Sequence, residues 1–289
     1  PPPLPSSPSP PSSPPPPPLP SSPPQIPSIH WVASESRPWS WGGYLKRRSC
    51  ALVGSGRGLL DTPRGEEINS HDIVVRVNRM FVPSLHYGDS YLSTQYLGNR
   101  TDIYFLDRCR AGKEAFDDDE DDEDEDSFKY WLLGGGEGQC HSYPVLPRGC
   151  PFRALVYKGN TNRSNDNGCV GETHDIDPLA DKARRSHVPI GIQTDRNVNW
   201  VVDLIGPHNP TTGFHAFLTL ALACKTLDLY GFNGTASTDG HIAQEGWAHH
   251  NIVKEHQIIG EFSQHAPTTS FPQSIVAAWS GFAPVRVVC

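Results

Sequence analysis

The chain has 289 residues and a formal net charge of −8 at pH 7. Ten of its acids form the unbroken run 117–126, DDDEDDEDED, and without them the remainder is near neutral, which leaves no basic field for nucleic acid. No apolar run reaches the roughly 18 residues of a membrane span.

Residues 1–29 are almost entirely Pro, Ser and Leu. They favour polyproline II, offer no apolar face to bury, and read as a disordered stem or linker. The sequence begins at Pro1 rather than Met, and such a lead-in suits a stalk between a membrane anchor and a folded domain. Residues 30–289 read as one large domain. The acid run repels itself and is expected to be a solvated loop insertion.

Strands are predicted at about 50–54 (CALVG), 72–77 (DIVVRV), 102–106 (DIYFL), 153–157 (RALVY), 199–205 (NWVVDLI), 227–232 (LDLYGF) and 285–288 (VRVV). They are short, rich in Val, Ile and Leu, and mostly lack alternation, as fully buried parallel strands do. A helix is predicted over 212–225, apolar nearly all round, and a second over 247–262 with Ile252, Ile259 and Phe262 on one face. Strands alternating with helices predict an α/β fold, an α/β/α sandwich with a mostly parallel sheet. In such sheets a ligand sits beyond the carboxyl ends of the strands, where the strand order reverses.

Two loops qualify for that place. The first, in CALVGSGRGLL (50–60), carries Gly54, Gly56 and Gly58. Its spacing is GxGxG, not the dinucleotide pattern GxGxxG, and the acid that should hold a ribose, Asp72, begins a strand instead of ending one. A phosphate cradle and a plain backbone turn both remain open for it. The second, NPTTGF (209–214), places Thr211 and Thr212 at the start of the apolar helix. A helix N-terminus binds carboxylate or phosphate, though a threonine there also serves as an N-cap without any ligand. A third feature is the histidine group His241, His249, His250 and His256, whose spacing is not the HExxH of a zinc site.

Seven cysteines are present, Cys50, Cys109, Cys140, Cys150, Cys169, Cys224 and Cys289, with no CxxC pair to suggest a zinc ribbon or thioredoxin site. Their odd number leaves at least one unpaired within the chain. Sequons stand at Asn99, Asn162 and Asn233. On these counts, oxidising and reducing compartments both stay open.

The stretch SCALVGSGRGLLDTPRGEEINSHDIVVRVNR resembles the long sialylmotif of the eukaryotic sialyltransferases, glycosyltransferase family 29, with Cys50, Gly54, Gly65, Glu67, Ile68, Ser70, His71, Asp72, Arg76 and Asn78 in register. LGNRTD (97–102) is similar to the Val-Gly-x-Arg-Thr that follows it. NPTTGFHAFLTLALACKTLDLYGF resembles the short sialylmotif, and HHNIVKE the very short one, His-x4-Glu, at His250 and Glu255. The three occur in the family's order over about 48–260. Departures are Ser55 where the family has a donor-contacting Asn, Gly56 and Arg57 in place of Ser-Gly, and Thr211 where Ser is usual. For the family's third motif only His241 is a candidate.

The resemblance implies a Rossmann-like variant of the glycosyltransferase-A fold without its usual metal-binding acid pair. It implies a CMP-sugar donor such as CMP-sialic acid, a glycoprotein, glycolipid or polysaccharide acceptor, and no cofactor or metal. It implies a disulfide between Cys50 and Cys224, the alternative being two buried free thiols, and hence a luminal domain anchored in the Golgi membrane. It implies His250 as the base that activates the acceptor and His241 as support for the departing phosphate. Ser55 and Asn78 would hold the nucleotide, and Thr211, Thr212 and Gly213 the donor's charged groups. Glu255 lies five residues from His250, so helical spacing does not pair them; it is expected to fix the helix or its neighbours. Three other readings are a dinucleotide enzyme, a metal-dependent transferase using Asp175 and Asp177, and a catalytically silent CMP- or glycan-binding protein, motivated by Ser55 and the unclear third motif.

Overall fold

The computed structural model describes residues 29–31, 45–54, 56–77, 90–106, 154–157, 190–193, 201–202, 204–206, 210–232, 250–264 and 282–288. Eight strands form one sheet: β1 (Ile29–Trp31), β2 (Ser49–Val53), β3 (Ile73–Val77), β4 (Ile103–Leu106), β5 (Ala154–Tyr157), β6 (Ile190–Gln193), β7 (Thr226–Tyr230) and β8 (Val285–Val288). Their order is β1-β6-β5-β4-β3-β2-β7-β8. From β6 to β8 every pairing is parallel, and β1 closes one edge antiparallel to β6.

The central strands β2, β3 and β4 are buried on both faces, and this explains their unbroken apolar character. On one face, Cys50, Leu52, Ile73, Val75, Leu227 and Leu229 pack against helix α3 (Thr212–Ala223) and helix α4 (Ile252–Ser263). From α3 come Phe214, Phe217, Leu218 and Ala221, and from α4 Ile258, Ile259 and Phe262. On the other face, Ala51, Val53, Val74 and Tyr230 meet Ile68 of helix α1 (Gly65–Asn69), Leu97 of helix α2 (Ser90–Leu97) and Leu59 of a 3-10 turn (Arg57–Leu60). Neighbouring strand residues therefore serve opposite cores, and the expected Rossmann-like α/β/α sandwich is the observed architecture.

The segment expected to be a strand at 199–205 is not one: residues 201–202 and 204–205 are helical. Val201, Val202, Leu204 and Ile205 are all buried. A short apolar run buried on every side carries no periodicity that tells helix from strand. Strands β1 and β6 were not anticipated, and Ile29, expected in the disordered stem, opens β1 opposite Gln193. The second helix begins at Ile252, behind an Asn251 cap whose side chain accepts the Lys254 N–H (3.2 Å), and not at residue 247.

Beyond β2, the chain proceeds through β3, β4, β5 and β6 toward one edge, while β7 lies on the other side of β2 with β8 outside it. The strand order thus reverses between β2 and β7, and the ligand crevice of such a sheet lies off the carboxyl ends of those two strands.

Helix α3 is fixed across β2 by a Cys50–Cys224 disulfide, which joins the start of β2 to the residue that caps the end of α3. The bond spans a sequence separation of 174. Closing a loop of that size restrains the unfolded chain by about 3–5 kcal/mol on the loop-entropy account. The double variant Cys50→Ala, Cys224→Ala is expected to unfold at lower denaturant by that margin, read by equilibrium denaturation. A midpoint equal to that of the parent would show that the bridge does not restrain the unfolded chain.

Candidate functional site

At the reversal point, the first glycine loop packs directly on the end of β7. The Gly54 N–H donates to the Tyr230 carbonyl (2.8 Å), and the Gly56 N–H to the Gly231 carbonyl (3.1 Å). A Cβ on Gly56 would stand 2.3 Å from the Gly231 oxygen, and Gly231 itself holds φ +74°, in the left-handed region. These glycines are therefore required by the approach of one backbone to another, whatever the loop binds. Ser55, between them, lies outside the described residues.

Phe232, the second residue past β7, joins the two candidate loops. Its ring lies 2.8 Å from where a Cβ of Gly54 would be, and 3.3 Å from where one of Gly213 would be. The amino end of α3 thus stands beside the glycine loop at the carboxyl edge of the sheet. There the Thr211 hydroxyl caps α3 by accepting the Phe214 N–H (3.0 Å). Gly213, one residue into the helix, has an N–H with no intrahelical acceptor.

Thr211 is also bound from outside its own helix. Its N–H donates to Glu255 Oε1 (2.7 Å) and its hydroxyl to Glu255 Oε2 (2.6 Å). Glu255 is in the first turn of α4 and almost fully buried. The preceding residue, Lys254, donates from Nζ to the Ile205 carbonyl (3.1 Å). His250 is half-buried and stands immediately before the Asn251 cap, at the entry to α4. Thr211, Thr212 and Gly213 are thus brought to the helix end that the His250 segment abuts through Glu255. Asn78, His241, Asp175 and Asp177 lie outside the described residues, as does the 117–126 run.

Much of the long-motif sequence holds the sheet instead of facing the crevice. Arg76 is fully buried in β3 and donates to the carbonyls of Leu97 (2.6 Å) and Arg100 (3.2 Å) and to the Thr101 hydroxyl (3.0 Å). Burial pulls its pKa down to about 10. Arg100 crosses back to the carbonyls of His71 (2.6 Å) and Asp72 (2.6 Å) and pairs with Asp102 (3.0 Å). The two arginines stitch LGNRTD to the start and middle of β3.

His71 belongs to a second polar network, under α1. Its Nε2 lies 3.0 Å from Asp228 Oδ2 and its Nδ1 3.0 Å from the Glu67 carbonyl, so the ring can donate at both nitrogens only when protonated. Arg286 pairs with Asp228 and with Glu67 (2.8 Å), and Arg64 pairs with Glu67 (2.9 Å). Burial opposes charge on His71, but the Asp228 hydrogen bond and attraction outweigh it and raise its pKa. Burial likewise opposes charge on Asp228 and Glu67, and their basic partners outweigh it and lower both. Nothing in the sequence patterns singled out Asp228 or Arg286; the link spans 157 positions from His71 to Asp228.

The family model "Glycosyltransferase family 29 (sialyltransferase)" matches residues 28–131, which hold β1 to β4 and the long motif. That match covers about a third of the chain, and over that segment the chain is similar to glycosyltransferase family 29. No curated protein sequence matches the chain. Similar solved structures include a mammalian sialyltransferase at 17% identity and TM-score 0.41, covering 83% of this chain and 68% of that one. The mammalian sialyltransferase in complex with Gal-beta-1-3GalNAc-ortho-nitrophenol gives 17% identity and TM-score 0.39, covering 83% and 69%. A point variant of the sialyltransferase CST-II in complex with CMP gives 11% identity and TM-score 0.41, covering 84% and 81%.

The charge network has a pH signature. The stability contributed by His71 is fully present below its unfolded value of about 6.5 and is lost as pH rises through its raised folded value. That of Asp228 and Glu67 is present above about pH 4.5 and is lost as pH falls through their lowered folded values. The thermal midpoint should therefore fall between about pH 6 and pH 8.5 in the parent and fall less in His71→Gln, measured by calorimetry across that range. Equal slopes in the two proteins would remove His71 from the account.

Proposed function

We propose that the chain moves sialic acid, or a related keto-sugar acid, from a CMP-sugar to a glycan hydroxyl, with inversion and without a metal. One observation carries this reading. Segments resembling the three sialylmotifs, far apart in sequence, are physically joined through the two ends of α3. Long-motif β2 is bonded to the end of α3 through Cys50 and Cys224, and short-motif Thr211 is held by very-short-motif Glu255.

On this reading the donor's phosphate and carboxylate lie off the amino end of α3, near Gly213 and Thr212, with Ser55 and Asn78 toward the nucleotide. The Thr211 side chain is taken up by its cap and by Glu255, so it acts by shaping that helix end. The acceptor oxygen attacks the anomeric carbon from the face opposite CMP. The new glycosidic bond forms as the bond from anomeric carbon to phosphate oxygen breaks, and CMP leaves with that electron pair. The acceptor proton passes to His250, histidine being the side chain suited to proton transfer near neutral pH, and then to solvent. A monophosphate leaving group bears less charge than a diphosphate, and the amino end of a helix together with a protonated His241 suits it.

The same reading sets the domain in the Golgi lumen, on a membrane anchor. The disulfide supports an oxidising compartment. The acceptor is a glycan on protein, lipid or polysaccharide.

His250→Ala is expected to lower transfer from CMP-sialic acid by about 10²–10⁴-fold while CMP still binds, read by radiolabel transfer beside calorimetric titration. Turnover at the parental rate would show the base assignment to be wrong. CMP binding by the parent without transfer to any of a broad acceptor panel would favour the silent binding protein. Loss of activity in a chelator would favour a metal-dependent enzyme with Asp175 and Asp177.

A further inference from the structure

Lys254 and Glu255 are consecutive residues in the first turn of α4, yet their side chains hold opposite ends of one connection. Lys254 Nζ takes the Ile205 carbonyl, at the close of the helical residues before the 206–210 connection. Gly206 follows at φ +90°, with its N–H on the Val202 carbonyl (3.0 Å), which ends that turn. Glu255 takes Thr211, the residue that opens α3, by both its N–H and its hydroxyl. The segment entering α3 is therefore gripped before and after by adjacent side chains, on a helix whose preceding residues are His250 and Asn251.

We infer that Lys254 and Glu255 are a paired positioning clamp, which makes the amino end of α3 and the turn bearing His250 move as one body. This rests on the transfer reading above, in which the helix end receives the donor's anionic groups and His250 receives the acceptor's proton. Those two tasks need a fixed separation, and a misplacement of an ångström can cost on the order of 100-fold in rate. Glu255 suits the task because its two oxygens accept two hydrogen bonds in fixed directions while its stem is buried. In both contacts with Thr211 it only accepts, and it lies five positions from His250 instead of beside it on a helical face.

The test uses the full chain with Glu255→Gln, Thr211→Val, their double variant and Lys254→Met. Hydrogen exchange at the Phe214 and His215 amides reads the helix end directly, with the second half of α3 as the internal control for folding. Exchange at those two amides should rise about tenfold or more in Thr211→Val and in Lys254→Met, with the later amides unchanged. In transfer assays kcat should fall about 10–100-fold while KM for the acceptor stays within about twofold. Glu255→Gln and Thr211→Val should be strongly non-additive, since either one breaks the same contact. The pH at half-maximal rate should stay where the parent has it, with only the height of the profile reduced. Unchanged exchange and unchanged kcat in all four proteins would overturn the clamp, and so would a lost limb of the pH profile in Glu255→Gln, which would make Glu255 an acid or base. If the parent neither binds CMP nor transfers, the functional reading fails, and the exchange measurement alone decides whether the clamp exists.

Discussion

The direction in which α3 lies across β2 decides what the site can be. The helix has 12 residues and so spans about 18 Å; β2 has 5 and spans about 17 Å. With Cys224 at the end of α3 bonded to Cys50 at the start of β2, helix and strand run in opposite senses over nearly equal lengths. The amino end of α3 must then emerge at the carboxyl edge of the sheet, where Gly54 and Phe232 are found. A helix laid the other way would present its negative end at the crevice. One bond at the remote edge thus fixes the polarity of the field at the near edge.

That polarity does not give the crevice a free positive charge. A helix end is worth about half an elementary charge, concentrated in the unpaired N–H groups of the first turn. At α3 two of the groups that would carry it are already engaged: the Thr211 N–H on Glu255 and the Phe214 N–H on the Thr211 hydroxyl. The carboxyl group of Glu255, in the first turn of α4, is set against the same end. What α3 offers a ligand is direction and the N–H of Gly213 in its first turn. On the proposed chemistry, the larger share of the charge on a departing phosphate then falls to protonated imidazole. The concentration of histidines in 241–256 fits this division of labour.

How far the sequence showed these things depended on the range of the physics involved. The sheet was legible where strands are buried on both faces, because Cys50 and Leu52 on one side and Ala51 and Val53 on the other leave no room for a polar residue. It was not legible at 201–202 and 204–205, where the same kind of burial is met by helical residues, nor at β1 and β6, which pair over three residues. Thr211 was legible as a cap because capping is local. Its hold by Glu255 was not, since it joins positions 44 apart and nothing in the spacing of His250 and Glu255 announces it. The same holds for Asp228 and Arg286, whose partners come from α1 and the turn after it.

The residues that carry the family pattern therefore divide into two kinds by what they touch. Arg76, Arg100, Glu67 and His71 bond to main-chain carbonyls or to charges on neighbouring elements, and these contacts hold the sheet whatever it binds. Gly54 and Gly56 belong with them, because Phe232 and the Gly231 carbonyl already exclude any side chain there. A motif made largely of such residues can persist in a protein that has stopped catalysing, since the fold depends on it. Ser55 stands in sequence between these two glycines, where the pattern it resembles has an asparagine, and on the proposed reading it is the residue of this loop that faces the nucleotide. Backbone packing and the proposed chemistry thus call on different residues of the same eleven-residue stretch, CALVGSGRGLL.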